Sequence, residues 1–290
     1  MKDFAGKVAV ITGAGSGFGR EFARIGASLG MRLVLADVQA DALAAVVDEL
    51  RERGVEVIGE RVDVSKGDQV ERLAQRTKEA FGKVHLLFNN AGVAAGGLVW
   101  ESTEKDWQWT LGVNLWGVIH GVRCFVPMML EQGDECHVVN TASVAGLLST
   151  QLMGVYNVSK HGVVTLTETL YHDLRLANAN IGVTLLCPAF VPTGIHASER
   201  NRPPELAPDS EPTPSMVASQ KATEKATSSG KIGAEGVAKM TFDAIRENRF
   251  YVVTHPKILA SVELRLQDVV AQRNPSDPFT FKKDVAVKPS

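Results

Sequence analysis

The sequence predicts a single doubly wound α/β domain with a mostly parallel, seven-stranded sheet. Short apolar runs alternate along the chain with longer amphipathic runs. The short runs are apolar at successive positions, so both faces of each strand would be buried, which is typical of a parallel sheet covered by helices on both sides. A glycine-rich turn directly follows the first strand and opens the first helix.

Seven short apolar runs are predicted as strands: Val8–Thr12, Leu33–Ala36, Val55–Val62, Val84–Phe88, Cys136–Asn140, Val183–Cys187 and Phe250–Thr254. Six longer runs are predicted as helices from their periodicity: Phe18–Leu29, Ala40–Arg53, Asp68–Phe81, Glu104–Glu131, Gly154–Ala177 and Val237–Arg246. Pro127 is expected to bend or shorten the end of the fourth helix.

One domain is expected over 1–290, with two segments of a different kind. The run 195–232 carries five prolines among Ser, Thr, Glu and Lys and has little helical period. It is either a lid over a ligand site or a surface excursion, and its position after a strand favours the lid, because ligands bind at the carboxyl edge of such sheets. The tail 274–290 is predicted as an extended arm, either disordered or packed on a neighbouring subunit.

Composition excludes several classes of protein. The net charge of −2 offers no basic surface for nucleic acid or an anionic membrane, and no apolar run is expected to be long enough to span a bilayer. Strand residues begin at Val8, which leaves no room for a signal peptide. Three scattered cysteines fit neither a disulfide framework nor a metal site. A cytoplasmic enzyme that acts on a small molecule is the expectation.

The glycine-rich turn predicts a nucleotide site. Gly13, Gly17 and Gly19 are spaced G-x-x-x-G-x-G between the first strand and the first helix, where backbone N–H groups can approach a pyrophosphate. Asp37 closes the second strand, eighteen residues beyond Gly19. A carboxylate there accepts hydrogen bonds from ribose hydroxyls and repels a 2′-phosphate, so the cofactor predicted is NAD rather than NADP. Asp37 is also suited to capping the helix that follows.

A second pattern predicts proton transfer. Tyr156 and Lys160 lie four residues apart in Y-N-V-S-K, and Ser143 lies thirteen positions before the tyrosine. A tyrosine hydroxyl has a pKa of about 10, and catalysis near neutral pH needs a pKa lower by roughly 2–3 units. A lysine on the same helical face lowers the tyrosine pKa. Taken alone, the pattern also fits an ordinary helix.

Together these motifs resemble the short-chain dehydrogenase/reductase family, from Lys7 to about Thr254. The matching motifs are T-G-A-G-S-G-F-G, Asp63-Val64, Asn89-Asn90-Ala91-Gly92, Asn114, Ser143, the Tyr156/Lys160 pair, and Pro188 through Thr193. The resemblance implies a Rossmann-like domain, a homotetramer or homodimer, and hydride transfer with NAD. Two positions depart from the family pattern, because Ala189 replaces a usual glycine and Phe18 replaces a small aliphatic residue.

The resemblance also implies residue roles. Tyr156 would be the general acid/base and Ser143 would hold the substrate oxygen. Lys160 would lower the tyrosine pKa and bind the nicotinamide ribose, and Asn114 would anchor a water relay behind it. The cofactor-binding residues implied are Gly13, Ser16, Gly17, Phe18, Gly19, Asp37, Asp63, Val64, Asn90, Ala91, Gly92, Tyr156, Lys160, Pro188, Val191 and Thr193.

The substrate is expected to be a neutral, fairly hydrophobic secondary alcohol or ketone. No Arg or Lys lies between Ser143 and Tyr156 to hold an anion, although Arg200 or Arg202 folding over the site would alter that. Expected walls of the substrate pocket are Ala145, Leu148, Leu152 and Phe190, with Val93, Ala94, Met153 and His196. Two alternatives stay open: a 3-oxoacyl-thioester reductase, which would favour NADPH and a basic surface, and a non-catalytic NAD(H)-binding redox sensor.

Overall fold

One sheet of seven parallel strands organises the protein. The computed structural model describes residues 1–281, and 282–290, the end of the predicted arm, lie outside the described residues. The strands are β1 (Val8–Thr12), β2 (Arg32–Asp37), β3 (Val57–Arg61), β4 (Leu86–Asn89), β5 (Cys136–Thr141), β6 (Ile181–Cys187) and β7 (Tyr251–Val253). Their order is β3-β2-β1-β4-β5-β6-β7, with every neighbouring pair parallel. The predicted fold is confirmed.

Helices cover both faces of the sheet. They are α1 (Gly17–Ser28), α2 (Ala40–Glu52), α3 (Gly67–Phe81), α4 (Glu104–Leu111), α5 (Gly117–Gln132), α6 (Gly154–Leu176), α7 (Pro214–Ser228), α8 (Ala234–Glu247) and α9 (Leu259–Val270). A π-helical turn, Gly112–Trp116, joins α4 to α5. The long helix predicted in this region therefore continues past Pro127, which does not shorten it. Pro127 lies on the exposed face, where water can hydrogen-bond the carbonyl that loses its partner.

The core consists of two apolar layers, one on each side of the sheet. Successive residues of β1 point to opposite layers, so that Ile11 packs in the cluster with Phe22 on α1 and Val10 packs in the cluster with Leu73 on α3. Phe22 also stacks on Phe88 of β4, with ring centroids 4.4 Å apart. This alternation explains why the strands read as uninterrupted apolar runs.

The helical run Glu104–Gln132 corrects the expectation that no apolar run reaches membrane-spanning length. Among the described residues it is the one helix long and apolar enough, by length and composition, to cross a bilayer. Its inward residues Phe125 and Met129 belong to the core. A helix packed on a sheet needs the same apolar composition, which accounts for the resemblance to a membrane span.

Helix α7 lies inside the segment predicted as a lid, where little helical period was expected. Thr213 caps it by accepting a hydrogen bond from the Met216 N–H at 3.3 Å, and Pro214 occupies its first turn. The face of α7 that turns inward carries small residues rather than large apolar ones, so hydrophobic periodicity gives no signal. Helix α9 was likewise not predicted.

The described part of the C-terminal arm folds back on its own chain. Asp268 of α9 accepts hydrogen bonds from the Arg273 Nε at 2.6 Å and from the Ser276 N–H at 2.7 Å. Three residues beyond Ser276, the side chain of Phe279 is buried and lines the cavity described below. Residues 274–281 thus contribute to the fold of the same chain.

Candidate active site

A cavity of about 320 Å³ lies along the carboxyl edge of the sheet. It spans the point between β1 and β4 where the strand order reverses, which is where ligands bind in this architecture. The predicted site residues that line it are Gly13, Ser16, Gly17, Phe18, Asp37, Asp63, Val64, Asn90, Ala91, Gly92, Ser143, Ala145, Leu148, Leu152, Tyr156, Lys160, Pro188, Phe190, Val191 and Thr193. Gly19 and Asn114 lie behind this lining.

The glycine-rich turn is shaped by close approaches of backbone. Gly13 has φ +66°, and a Cβ there would lie 2.9 Å from the Ala91 Cα. Gly17 has φ +51°, a conformation that L side chains rarely adopt. A Cβ on Gly19 would collide with the Gly13 carbonyl, so Gly19 packs the helix onto the turn instead of lining the cavity. Helix α1 has no side-chain cap and no acidic residue in its first turn, which leaves its N–H groups suited to an anionic ligand.

Asp37 joins the glycine-rich turn to the end of β2. Its Oδ2 accepts a hydrogen bond from the Gly15 N–H at 2.8 Å, and its Oδ1 accepts one from the Gln39 N–H at 2.9 Å. Each oxygen retains capacity for a further donor. The turn and the carboxylate together fit a dinucleotide whose ribose hydroxyls are free.

Ser143, Tyr156 and Lys160 converge at the other end of the cavity. Ser143 follows β5, and its Oγ accepts a hydrogen bond from the Ala145 N–H at 3.1 Å. Tyr156 lies in the first turn of α6, and Lys160 lies one turn later with its Nζ 5.7 Å from the tyrosine ring centroid. The Lys160 Nζ donates to the Thr141 carbonyl at 3.0 Å, which fixes the ammonium beside the ring.

The pKa of Tyr156 differs from the sequence prediction. Burial raises this pKa to about 12, and the Ser143 hydroxyl opposes the rise. Burial lowers the pKa of Lys160 to about 8. The polypeptide alone therefore does not depress the tyrosine pKa, because loss of water around the phenolate outweighs the hydrogen bond with Ser143. The Lys160 ammonium donates instead to the Thr141 carbonyl.

Asn114 braces the loop after β4 from the π-helical turn. It is fully buried, and its Oδ1 accepts from the Val93 N–H at 2.8 Å while its Nδ2 donates to the Val93 carbonyl at 2.9 Å and to the Ser159 Oγ at 3.0 Å. A Cβ on the neighbouring Gly92 would lie 3.4 Å from the Asn114 Oδ1 and 3.6 Å from the Lys160 Nζ. Asn114 is thus close behind Lys160, and its role in a water relay stays a prediction.

The end of the cavity that contains Ser143 and Tyr156 is largely apolar. Leu152 has φ +58°, a strained value for a leucine, and its carbonyl accepts from the Gly97 N–H at 2.8 Å and from the Ser219 Oγ at 2.9 Å. Val93, Ala94 and Met153 also line the cavity as expected. His196 does not, and Ile195 and Ser198 on either side of it line the cavity instead.

Several cavity residues were not predicted from the sequence. One face of α7 contributes small side chains at helical spacing: Ser219, Ala222, Thr223, Ala226 and Thr227. Others come from distant parts of the chain: Gln108, Trp109, Asn201, Pro203, Leu206, Ile258 and Phe279. Small residues that recur at three- and four-residue intervals could have predicted α7 as a helix with one face towards the cavity. No local sequence pattern predicts that Trp109 or Phe279 lines the cavity.

Arg202 fastens the segment after β6 to α4. Its Nη2 donates to the Asp106 Oδ1 at 2.7 Å, and its Nε donates to the Leu206 carbonyl at 2.6 Å. Its guanidinium lies over the Trp109 ring, 5.0 Å from the centroid. The Arg202 and Asp106 side chains are only 6% and 11% exposed. This contact holds the segment against the cavity wall.

Comparisons with known proteins agree with this geometry. A family model described as short chain dehydrogenase matches residues 7–204. A CLA biosynthesis dehydrogenase/reductase of Lactiplantibacillus plantarum is 34% identical over 278 residues, covering 95% of this chain and 97% of that protein. A C alpha-dehydrogenase of Sphingobium sp. is 31% identical, covering 96% and 90% of the two chains. The crystal structure of a short-chain dehydrogenase/reductase from Burkholderia phymatum in complex with NAD has a TM-score of 0.95 at 63% identity, covering 96% and 99% of the two chains.

Proposed function

This chain belongs to the short-chain dehydrogenase/reductase family, and we propose that it transfers a hydride between NAD(H) and a neutral, fairly hydrophobic secondary alcohol or ketone. The observation that carries the proposal is the continuous cavity, which has the glycine-rich turn and Asp37 at one end and Ser143, Tyr156 and Lys160 at the other. The first end suits a dinucleotide, and the second suits proton transfer at a carbon–oxygen bond.

The cofactor is NAD. Asp37 lines the cavity where the adenosine ribose would lie, and a carboxylate there favours free hydroxyls over a 2′-phosphate. Ser16, where NADP-preferring members often carry a basic residue, is uncharged. The relative from Burkholderia phymatum, with NAD bound at 63% identity, supports the same choice.

Tyr156 carries the proton and Ser143 orients the substrate oxygen. The bound nicotinamide accepts a hydride from the carbinol carbon in oxidation and returns it in reduction. In oxidation, the Tyr156 Oη takes the hydroxyl proton as the ketone forms, and in reduction it donates that proton to the carbonyl oxygen. The Lys160 ammonium and the positive charge of the oxidised ring both favour the phenolate, and so oppose the effect of burial on the tyrosine pKa.

The apolar lining supports a neutral substrate. Leu148, Leu152 and Phe190 form walls near Ser143, and α7 presents small side chains that leave room for a bulky group. Arg202, one of the two arginines able to reach a substrate anion, is paired with Asp106. We therefore place the body of the alcohol or ketone between α7 and the Leu148–Leu152 loop.

The same proposal covers the organisation of the whole chain. Residues 1–290 form one catalytic domain, with 195–232 as the lid over the substrate and 274–290 as an arm. The protein works in the cytoplasm as a homotetramer or homodimer. The free thiols of Cys124, Cys136 and Cys187 support a cytoplasmic location, where disulfides are rare. Exposed apolar residues on α6 and on the neighbouring π-helical turn support the assembly of several subunits.

The deciding experiment combines a substrate panel with one substitution. Neutral secondary alcohols and hydroxy acids are assayed with NAD⁺ and with NADP⁺, ketones and 3-oxoacyl thioesters are assayed with NADH and with NADPH, and NADH affinity is measured separately. We expect NAD⁺-dependent oxidation of neutral alcohols, which Tyr156→Phe lowers by about 10³-fold without changing NADH affinity. Tyr171→Phe, on the same helix but outside the cavity lining, is the matched control.

Four results would count against the proposal. Full turnover by Tyr156→Phe removes the tyrosine from the mechanism. Activity confined to anionic substrates refutes the neutral substrate class, and NADPH-dependent reduction of 3-oxoacyl thioesters favours the reductase alternative. NADH binding without turnover on any alcohol or ketone identifies a redox sensor.

A further inference from the structure

Two arginines of the segment after β6 lie close in sequence but have different electrostatic surroundings. Arg202 is buried, and its charge is balanced by Asp106 at 2.7 Å and by Glu199 at 3.1 Å. Arg200 is exposed, lines the cavity and has no carboxylate within ion-pair distance among residues 1–281. Of the pair, only Arg200 has a charge free to meet a ligand.

The guanidinium of Arg200 is held in place by backbone oxygens. Its Nη1 donates to the Gly194 carbonyl at 2.9 Å and to the Ala197 carbonyl at 2.5 Å. Its Nη2 would lie 3.2 Å from a Cβ placed on Gly194. These hydrogen bonds use one nitrogen of the guanidinium and leave the N–H donors of the other two free. The group is therefore held in one orientation and can still donate hydrogen bonds to an oxyanion.

The segment that holds Arg200 lies against the glycine-rich turn. Gly194 directly follows Thr193, whose Cβ lies 3.5 Å from where a Cβ on Gly17 would be. The segment that holds Arg200 therefore touches the turn where helix α1 begins. That turn is the place predicted for the pyrophosphate of a dinucleotide.

The charges that line the cavity are separated along its length. Within the described part of the chain, the charged lining residues are Asp37, Asp63, Lys160 and Arg200. Asp37 ends β2 and Asp63 follows β3, at the predicted adenosine end, and Lys160 is buried one helical turn after Tyr156. Arg200 is thus the exposed cation among these lining residues, and no carboxylate of residues 1–281 lies within ion-pair distance of it.

We propose that Arg200 binds the pyrophosphate of the dinucleotide from the lid side, opposite the glycine-rich turn. This rests on the proposed function in so far as the ligand is NAD(H). A carboxylate on a substrate would offer the same oxyanion chemistry, but the contact of Thr193 with the glycine-rich turn favours the cofactor. Binding of the dinucleotide then also fixes the Gly194–Asn201 turn, which carries Ile195 and Ser198 of the substrate wall.

The test measures binding without catalysis. Dissociation constants for NADH, ADP-ribose and adenosine are determined in the absence of any alcohol for the wild type, Arg200→Gln and Arg200→Lys. We expect Arg200→Gln to weaken NADH and ADP-ribose binding about tenfold and to reduce the salt dependence of both, because one charge-assisted contact is lost. Adenosine binding should not change, and Arg200→Lys should retain part of the affinity.

Controls separate this proposal from its alternatives. Arg175→Gln, in the last turn of α6 at the opposite edge of the sheet, should leave all three constants unchanged. Melting temperatures check that each variant is folded. NADH and ADP-ribose affinities within twofold of the wild type would overturn the proposal. A higher KM confined to a hydroxy acid, with the matched neutral alcohol and NADH unaffected, would instead assign Arg200 to a substrate carboxylate. Because the dissociation constants are measured without an alcohol, they test the role of Arg200 even if the protein oxidises none of the alcohols in the panel.

Discussion

At the scale of the residue, the proposed chemistry depends on how charges act on Tyr156. Burial in the cavity wall raises the tyrosine pKa to about 12, and burial lowers the Lys160 pKa to about 8. Both shifts follow from the same cause, since a low-dielectric environment disfavours the charged form of either group. The Lys160 ammonium therefore supports the phenolate below about pH 8, and the positive charge of NAD⁺ adds to it.

We predict that Tyr156 stays a neutral phenol in the free protein up to at least about pH 10. The raised pKa means that the phenolate forms only at higher pH, and bound NAD⁺ should move its ionisation to lower pH. The measurement is a titration of phenolate absorbance, taken as the difference between the wild type and Tyr156→Phe, with and without NAD⁺. Ionisation near pH 7 without NAD⁺ would contradict the prediction.

At the scale of the element, the contact of α4 with the segment after β6 shapes the cavity wall. Asp106 uses both carboxylate oxygens, because its Oδ2 accepts from the Thr103 N–H at 2.8 Å in a capping box while its Oδ1 binds Arg202. Burial acts to raise the pKa of Asp106, but hydrogen bonds from Thr103 and Arg202 outweigh it and hold that pKa below its usual range. One carboxylate thus starts a helix and anchors the segment after β6.

We predict that Arg202→Met raises the KM for the alcohol about tenfold and leaves adenosine affinity unchanged. Loss of the guanidinium leaves the Asp106 carboxylate buried without its cation. It also removes the contacts that hold Leu206 and Trp109 in the cavity wall. Asp106→Asn should act similarly, and the double variant should show less than the sum of the two effects, because both remove one contact. An unchanged KM, or strictly additive effects, would show that this contact does not position the wall.

At the scale of the whole molecule, we expect two exposed apolar side chains on neighbouring elements to form a contact between subunits. Trp116 on the π-helical turn is 51% exposed and Val158 on α6 is 49% exposed. The two elements pack against each other, since a Cβ on Gly162 of α6 would lie 2.9 Å from the Leu115 side chain. Large apolar residues on neighbouring elements are typical of a surface that another subunit covers.

We predict that Trp116→Glu combined with Val158→Asp lowers the molar mass measured by light scattering during gel filtration. Two new carboxylates would be buried without partners at the contact, which costs several kcal/mol. Leu176→Glu is the matched control, because Leu176 is 89% exposed at the end of the same helix, where we do not expect a contact. An unchanged mass for the double variant would exclude this face as the interface.

Sequence alone determined the features that depend on short stretches of chain. Strand and helix periodicity gave the seven-stranded fold, the spacing of Gly13, Gly17 and Gly19 gave the turn, and the interval between Tyr156 and Lys160 placed both on one face of α6. These three predictions succeed because hydrophobic period, glycine conformation and helical spacing depend only on residues close together in the chain. The helix α7 was missed because its inward residues are small and carry no strong hydrophobic period.

Only the tertiary structure decided which residues complete the cavity and what charge they carry. Arg200 and Arg202 are equivalent by sequence, yet one is paired with Asp106, 96 residues away, and the other is not. Trp109 and Phe279, 170 residues apart in the sequence, line the same cavity. The tyrosine pKa rises because of burial by many distant segments. Packing between residues far apart in the chain determines the arginine pairing, the cavity lining and the tyrosine pKa. No local sequence pattern encodes such packing.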